Sequence, residues 1–201
     1  GIGKSTLLDA SVDYAQRLGV RVVRMSAAQS RVRSDYRDVI GLFGSLEPAT
    51  VDSLPPAQRR ALRIALRWDE PDQRPIERET VAAAIAGALG RVAREGPVLL
   101  AIDDLHLIDD STRPALEFAI RRVHPLPVGV IATARTTEGA RPRPMERAVD
   151  PARLFRISPG PLSEGAIRQI LVRRTTPRFS RRDVERITVA TQGNPGLALE
   201  I

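Results

Sequence analysis

Four short stretches of the chain carry side chains whose types and spacing could do chemistry. The first is GIGKST, residues 1–6. A Gly-Lys-Ser turn that opens a helix aims consecutive backbone N–H groups at one point, which suits an anion. Gly3, Lys4 and Ser5 are the last three positions of the phosphate-loop pattern G-x-x-x-x-G-K-[ST], and Gly1 falls inside the loop. In that chemistry Lys4 reaches the β- and γ-phosphates of a nucleotide and the Ser5 hydroxyl is an oxygen donor for Mg2+. The plainer alternative is a helix start that holds no ligand. Composition bears on the choice. Of 31 lysines and arginines, Lys4 is the only lysine. Arginine is a broad planar fork and lysine a compact point charge on a flexible stem, so the exception sits where a tight phosphate cradle needs it.

The second stretch is VLLAIDDLHLID, residues 98–109. A short apolar run ending in two acids suits a strand buried on both faces, with its acids at the C-terminal end where ligand crevices lie. Asp103 is placed to hold Mg2+ and Asp104 to polarise an attacking water. The alternative is that they only terminate a loop. Asp110 or Ser111 reads as the cap of the next helix, and His106 as a packing or loop residue rather than a general base. The third stretch is IATAR, residues 131–135, where Thr133 and Arg135 follow another apolar run and could sense a γ-phosphate; an ordinary exposed loop is the competing reading. The fourth is TQGNPG, residues 191–196. Gly193 reads as a helix stop and Asn194-Pro195 as the next helix start, with Pro195 a candidate to pack on a nucleotide base.

The elements that must position these residues follow from periodicity. Leu8, Val12, Ala15 and Leu18 predict a helix over about 5–18 that stops at Gly19. Residues 20–25 read as a strand, and 34–46 and 56–68 as helices. A long helix over about 76–94 presents Val81, Ile85, Leu89 and Val92 on one face. A helix over about 111–123 carries Leu116, Ile120 and Val123, the run at 128–135 reads as a second buried strand, and 153–157 as a further strand. After Pro159-Gly160-Pro161 the chain reads as helices alone, with Ser180 and Asp183 spaced as a capping box. Strands alternating with helices predict an α/β parallel sheet over 1–160, then the start of a helical lid over 161–201.

The bulk composition is that of a globular domain. The chain has 201 residues, 42% hydrophobic and 27% charged, enough for one domain with a core. It has no cysteine, which excludes disulfides, thiolate metal sites and a cysteine nucleophile. No apolar run is long enough to span a bilayer and no signal peptide is visible, so no membrane partner and a cytoplasmic location are expected. The net charge of +7 is spread along the chain and aromatics are only 3%, so no stacking platform for nucleic acid is evident.

Taken in order, GIGKSTLL, VLLAIDDLHLIDDSTRPAL, VIATAR, LFRISPGPLSEGAIRQIL and ATQGNPGLALEI resemble the STAND-class AAA-type ATPase module, most nearly that of large LuxR-type, MalT-like bacterial transcriptional regulators. The resemblance implies a P-loop NTPase sheet of order 5-1-4-3-2, ATP and Mg2+ as ligands, and slow hydrolysis used as a switch. It implies self-association when ATP is bound, and DNA contact only through a C-terminal domain outside these residues. Position by position, it makes Lys4 the phosphate lysine, Ser5 the metal hydroxyl and Thr6 a neighbouring phosphate contact. Asp103 becomes the metal-site acid, Asp104 the water-activating position, Arg135 the sensor arginine and Pro195 the lid proline. AAA-type motors carry glutamate where this chain has Asp104, and the shorter side chain implies slow turnover.

The sequence reads as a fragment that opens inside its own phosphate loop. Strand 1, at the centre of the implied sheet, is expected upstream of Gly1, and these residues alone are expected to bind nucleotide poorly. Three other readings compete: the same ATPase module with a cyclase or kinase output, an origin-recognition-like DNA loader, and a degenerate scaffold that no longer binds ATP. Asp104 counts against the loader; intact Lys4, Ser5 and Asp103 count against the scaffold.

Overall fold

A computed structural model describes residues 3–26, 35–44, 46–71, 73–135, 144–174 and 179–201. Three β-branched or apolar runs become strands: β1 (Arg21–Ser26), β2 (Val98–Asp103) and β3 (Val128–Ala132). They form a parallel sheet in the order β1-β2-β3. Arg21 stands opposite Val98 and Ser26 opposite Asp103, while Val98 stands opposite Val128 and Ile102 opposite Ala132. Parallel neighbours need crossovers, and helices supply them. After α1 (Lys4–Arg17) and β1, the first crossover holds α2 (Arg37–Phe43), α3 (Pro48–Asp52), α4 (Pro56–Ala65) and α5 (Arg78–Glu95). The second holds a 3-10 turn at Leu105–Leu107 and α6 (Thr112–Val123).

The centre of the sheet is β2, with Val98, Leu100, Ala101 and Ile102 all buried. The expected face of α5 is buried, and so are Ala82, Ala84, Ala86, Ala88, Gly90 and Ala93. This helix is enclosed on several sides because its small residues let both α4 and α6 pack against it. Each fully buried leucine, isoleucine or valine of this core contributes about 1.5–3 kcal/mol relative to exposure.

Several expectations are corrected. Strand β3 is not buried: Gly129, Val130 and Ala132 are exposed, and among the described residues β3 pairs only with β2. Residues 154–163 form no strand, and Phe155 and Ile157 are 85% and 76% exposed. Extended backbone becomes a strand only beside a ladder partner, and among the described residues no strand pairs with 154–163. Helix α1 ends at Arg17, so Leu18 lies outside its apolar face and is exposed; its N–H turns back to the Tyr14 and Ala15 carbonyls while Gly19 takes φ +75°. Helix α3, opened by Pro48, is an element the periodicity does not show.

The chain divides into two compact units, Ala10–Leu154 on one hand and Gly1–Asp9 with Phe155–Ile201 on the other. The second contains α7 (Glu164–Arg174), α8 (Arg181–Thr191) and α9 (Pro195–Glu200) around Ile167, Leu171, Val184, Ile187 and Ala198. The capping box is formed as expected. The Ser180 hydroxyl accepts from the Asp183 N–H at 3.2 Å, and the Asp183 carboxylate accepts from the Ser180 N–H at 3.0 Å. The Ser180 hydroxyl and amide together hold the Asp183 carboxyl below its usual range. Among the described residues no helix is long and apolar enough to cross a membrane.

Candidate functional site

The acidic end of the candidate site follows from the sheet register. Parallel strands in step bring their C-terminal ends together, so Thr133, one residue past β3, lies beside Asp103 at the end of β2. The Thr133 hydroxyl donates to Asp103 Oδ1 and is buried. The Asp104 N–H donates to the same Oδ1 at 3.1 Å and to Thr133 Oγ1 at 2.9 Å. The Leu105 N–H then bonds the Thr133 carbonyl at 2.8 Å. Both bonds to the Asp103 carboxylate fall on Oδ1, and Oδ2 has no hydrogen-bond partner among the described residues. That leaves a fixed carboxylate with one oxygen to give, the donor type a hard cation takes. No group of three or more His, Asp or Glu among the described residues is arranged as a metal cage. Mg2+ in phosphoryl-transfer sites needs no such cage; one or two carboxylates with water and phosphate oxygens suffice, so Asp103 fits.

Asp104 stands in the left-handed region, at φ 54° and ψ 49°. Aspartate tolerates that conformation better than most residues, but it persists only where its surroundings hold it. Its carboxylate is partly exposed, with His106 Nδ1 3.8 Å from Oδ1. His106 itself is exposed, a loop contact rather than a buried base. Arg135 lies past Thr133 on the surface, with its side chain exposed.

The loop after Asp104 ends in an arrangement that spacing alone does not reveal. The Asp109 N–H donates to Asp38 Oδ2 at 2.7 Å, and the Asp38 N–H donates to Asp109 Oδ2 at 3.0 Å. Arg37 closes the far side with Nε 3.1 Å from Asp38 Oδ1. Ser111 stands at the N-cap position of α6, as expected, but makes no side-chain cap bond; Asp109 supplies that bond. Its Oδ1 accepts from the Ser111 and Thr112 amides at 3.0 and 2.7 Å, and Oδ2 accepts from the Thr112 hydroxyl at 2.7 Å. The Ser111 hydroxyl instead donates to Asp35 Oδ1 at 2.7 Å. Burial pushes the Asp109 carboxyl up, but its bonds from Thr112, Asp38 and Ser111 outweigh this and hold it below the usual range.

The remaining candidate residues, Gly3, Lys4, Ser5, Thr6 and Pro195, lie in the other compact unit. Gly3 has φ +87°, and the first helical bond of α1 runs from the Leu7 N–H to the Gly3 carbonyl at 2.9 Å. The amides of Lys4, Ser5 and Thr6 therefore have no intrahelical acceptor, and no acid stands in the first turn. Lys4 is half-buried and makes no ion pair among the described residues; Ser5 and Thr6 are exposed. Gly1 lies outside the described residues. Within this unit, a Cβ on Gly3 would lie 3.8 Å from Pro195 Cγ, so Gly3 and Pro195 are neighbours. Pro195 is the first residue of α9, behind the cap Asn194, whose Oδ1 accepts from the Gly196 and Leu197 amides at 3.0 and 3.3 Å. Gly193 makes the turn at φ +69°, and its carbonyl accepts from the Leu162 N–H at 2.8 Å.

Compared with known protein families, residues 1–131 match the AAA ATPase domain. No curated protein and no solved structure matches the chain.

Proposed function

The chain belongs to the AAA ATPase domain family, and on that premise we propose that it is an ATP- and Mg2+-binding module that hydrolyses ATP slowly as a signalling switch in a LuxR-type transcriptional regulator. The observation that carries the reading is Asp103: a carboxylate at the end of the central strand, fixed through Oδ1 with Oδ2 uncommitted, followed by Asp104 in a held left-handed conformation. In this reading Lys4 donates to the β- and γ-phosphate oxygens. The free amides at the start of α1 and the Thr6 hydroxyl add further donors. The Ser5 hydroxyl and Asp103 Oδ2 would hold Mg2+, which when bound neutralises charge building on the transferred phosphoryl group. Asp104 orients the attacking water and takes its proton as the water oxygen bonds to Pγ and the bond to ADP breaks. Arg135 reads the γ-phosphate charge, and Pro195 packs against the base.

The order β1-β2-β3 is compatible with a P-loop sheet of order 5-1-4-3-2, of which it would be the 4-3-2 part. The division into a core over 1–160 and the opening of a lid over 161–201 rests on the sequence alone. The short Asp104 side chain supports slow turnover. Self-association in the ATP state, and DNA binding through a separate C-terminal domain, complete the proposed switch. The test is phosphate release by the full-length protein with saturating ATP and Mg2+, beside Asp104→Asn. Turnover well below about one per second, falling about a hundredfold in Asp104→Asn with ATP affinity kept, is expected. Equal turnover in the two proteins would overturn the assignment of Asp104, and fast DNA-stimulated turnover would point to a loader ATPase instead.

A further inference from the structure

We propose that Asp38, acting through Asp109, is a positioning residue for Asp104; the inference rests on the ATPase reading above. The stretch from Asp104 to Asp109 is pinned at both ends by different parts of the chain. At its start, Thr133 takes the Asp104 amide on its hydroxyl and the Leu105 amide on its carbonyl. At its end, Asp38 takes the Asp109 amide and returns its own amide to the Asp109 carboxylate. Asp38 is only 4% exposed, and its carboxylate is held from the other side by both Nε and a terminal nitrogen of Arg37. The first residues of α2 therefore act as a fixed post for the far end of the acidic loop.

Between the two pins the chain has little freedom. Residues Leu105–Leu107 make one 3-10 turn, the Leu107 N–H bonds the Asp104 carbonyl at 2.8 Å, and Ile108 is buried. Asp104 holds its left-handed backbone through the surroundings on either side of it, the Thr133 bonds before the turn and the Asp38 bonds after it. With the Asp38 pin removed, the far end of the loop keeps, among the described residues, only the bonds of Asp109 to the start of α6 and of Arg113 to the Ile108 carbonyl. The loosened turn lets Asp104 relax out of the left-handed region, which re-aims its carboxylate. Asp103 does not share this dependence, since β2 and Thr133 hold it directly. The water-orienting step should thus suffer while nucleotide binding does not.

The test compares wild type, Asp38→Ala, Asp38→Asn and Lys4→Ala in the full-length protein, reading ATP turnover, ATP KM and amide hydrogen exchange. Asp38→Ala should lower kcat about tenfold or more with KM changed by less than about threefold, as expected for a misaimed group that does not contact substrate. Amides within 104–109 should exchange about tenfold faster while those of β2 stay protected. Asp38→Asn, which keeps a carbonyl oxygen to accept the Asp109 amide, should recover kcat to within about threefold of wild type. Unchanged exchange at 104–109 in folded Asp38→Ala would overturn the pin, and unchanged kcat would overturn its role in positioning. Parallel loss of kcat, KM and β2 protection in both Asp38 variants would show a merely structural role. Phosphate release that is equal in wild type and Lys4→Ala would sink the ATPase reading and the positioning role with it. The exchange result would still report whether Asp38 holds the loop.

Discussion

The acidic loop and the phosphate-loop end hold their candidate residues by different means. Around Asp103–Asp109 the geometry is written in side-chain hydrogen bonds, two of them reaching across the chain, Thr133 to Asp103 and Asp38 to Asp109, and others local, Asp109 to Ser111 and Thr112. Around Gly3–Thr6 and 191–196 it is written mainly in backbone conformation, with Gly3 and Gly193 both at positive φ and Asn194 capping a helix that opens on Pro195. The first arrangement orients carboxylates that must point one way. The second leaves the first amides of α1 and the Lys4 ammonium without a partner among the described residues, which is what an anion site requires. The two regions should therefore respond to different perturbations, one to loss of a side-chain oxygen and the other to gain of a Cβ.

The largest expected effect is at Gly193. A Cβ there would lie 2.6 Å from the Leu162 carbonyl oxygen and 2.9 Å from its nitrogen, both backbone atoms, at a φ of +69°. Gly193→Ala should cost about 2–5 kcal/mol, the sum of left-handed strain and overpacking. The loss should appear as faster exchange in α7, α8 and α9. Gly3→Ala sharpens the point: its Cβ would meet only Pro195 Cγ at an ordinary 3.8 Å, so the cost should be near the strain alone, about 1–2 kcal/mol. Similar costs at the two glycines would break the distinction drawn here.

The smaller effect concerns acid. The folded Asp109 carboxyl lies below its ordinary value, so between the unfolded pKa of about 3.9 and the lower folded one the unfolded chain binds a proton that the folded chain refuses. Its contribution is present above the unfolded value and is lost as pH falls through the folded one. Thermal melts below about pH 4 should fall more steeply with acid in wild type than in Asp109→Asn. Equal slopes would mean that the carboxylate charge matters little to the loop.

What was legible in the sequence was what depends on near neighbours. The apolar run before Asp103 announced a buried strand, the spacing of Val81, Ile85, Leu89 and Val92 announced α5, and Ser180 with Asp183 announced a capping box. The Asp38–Asp109 pair was not legible, because it joins residues 71 apart and neither aspartate differs locally from an ordinary helix-start residue. The sequence pointed to Asp110 or Ser111 as the α6 cap; Ser111 holds that position, but the capping bonds come from Asp109, two residues earlier, which the spacing did not single out. The runs at 128–135 and 153–157 have strand-like composition, yet burial and pairing depend on which strands stand beside them, and composition does not carry that.

The most direct test of the account is a titration of the full-length protein with a fluorescent ATP analogue and Mg2+, beside Lys4→Ala. The account predicts saturable binding by wild type that weakens about tenfold or more in Lys4→Ala, the loss expected when charge-assisted bonds to phosphate are removed. Equal binding by the two proteins would contradict it, because the single lysine of the chain would then hold no phosphate.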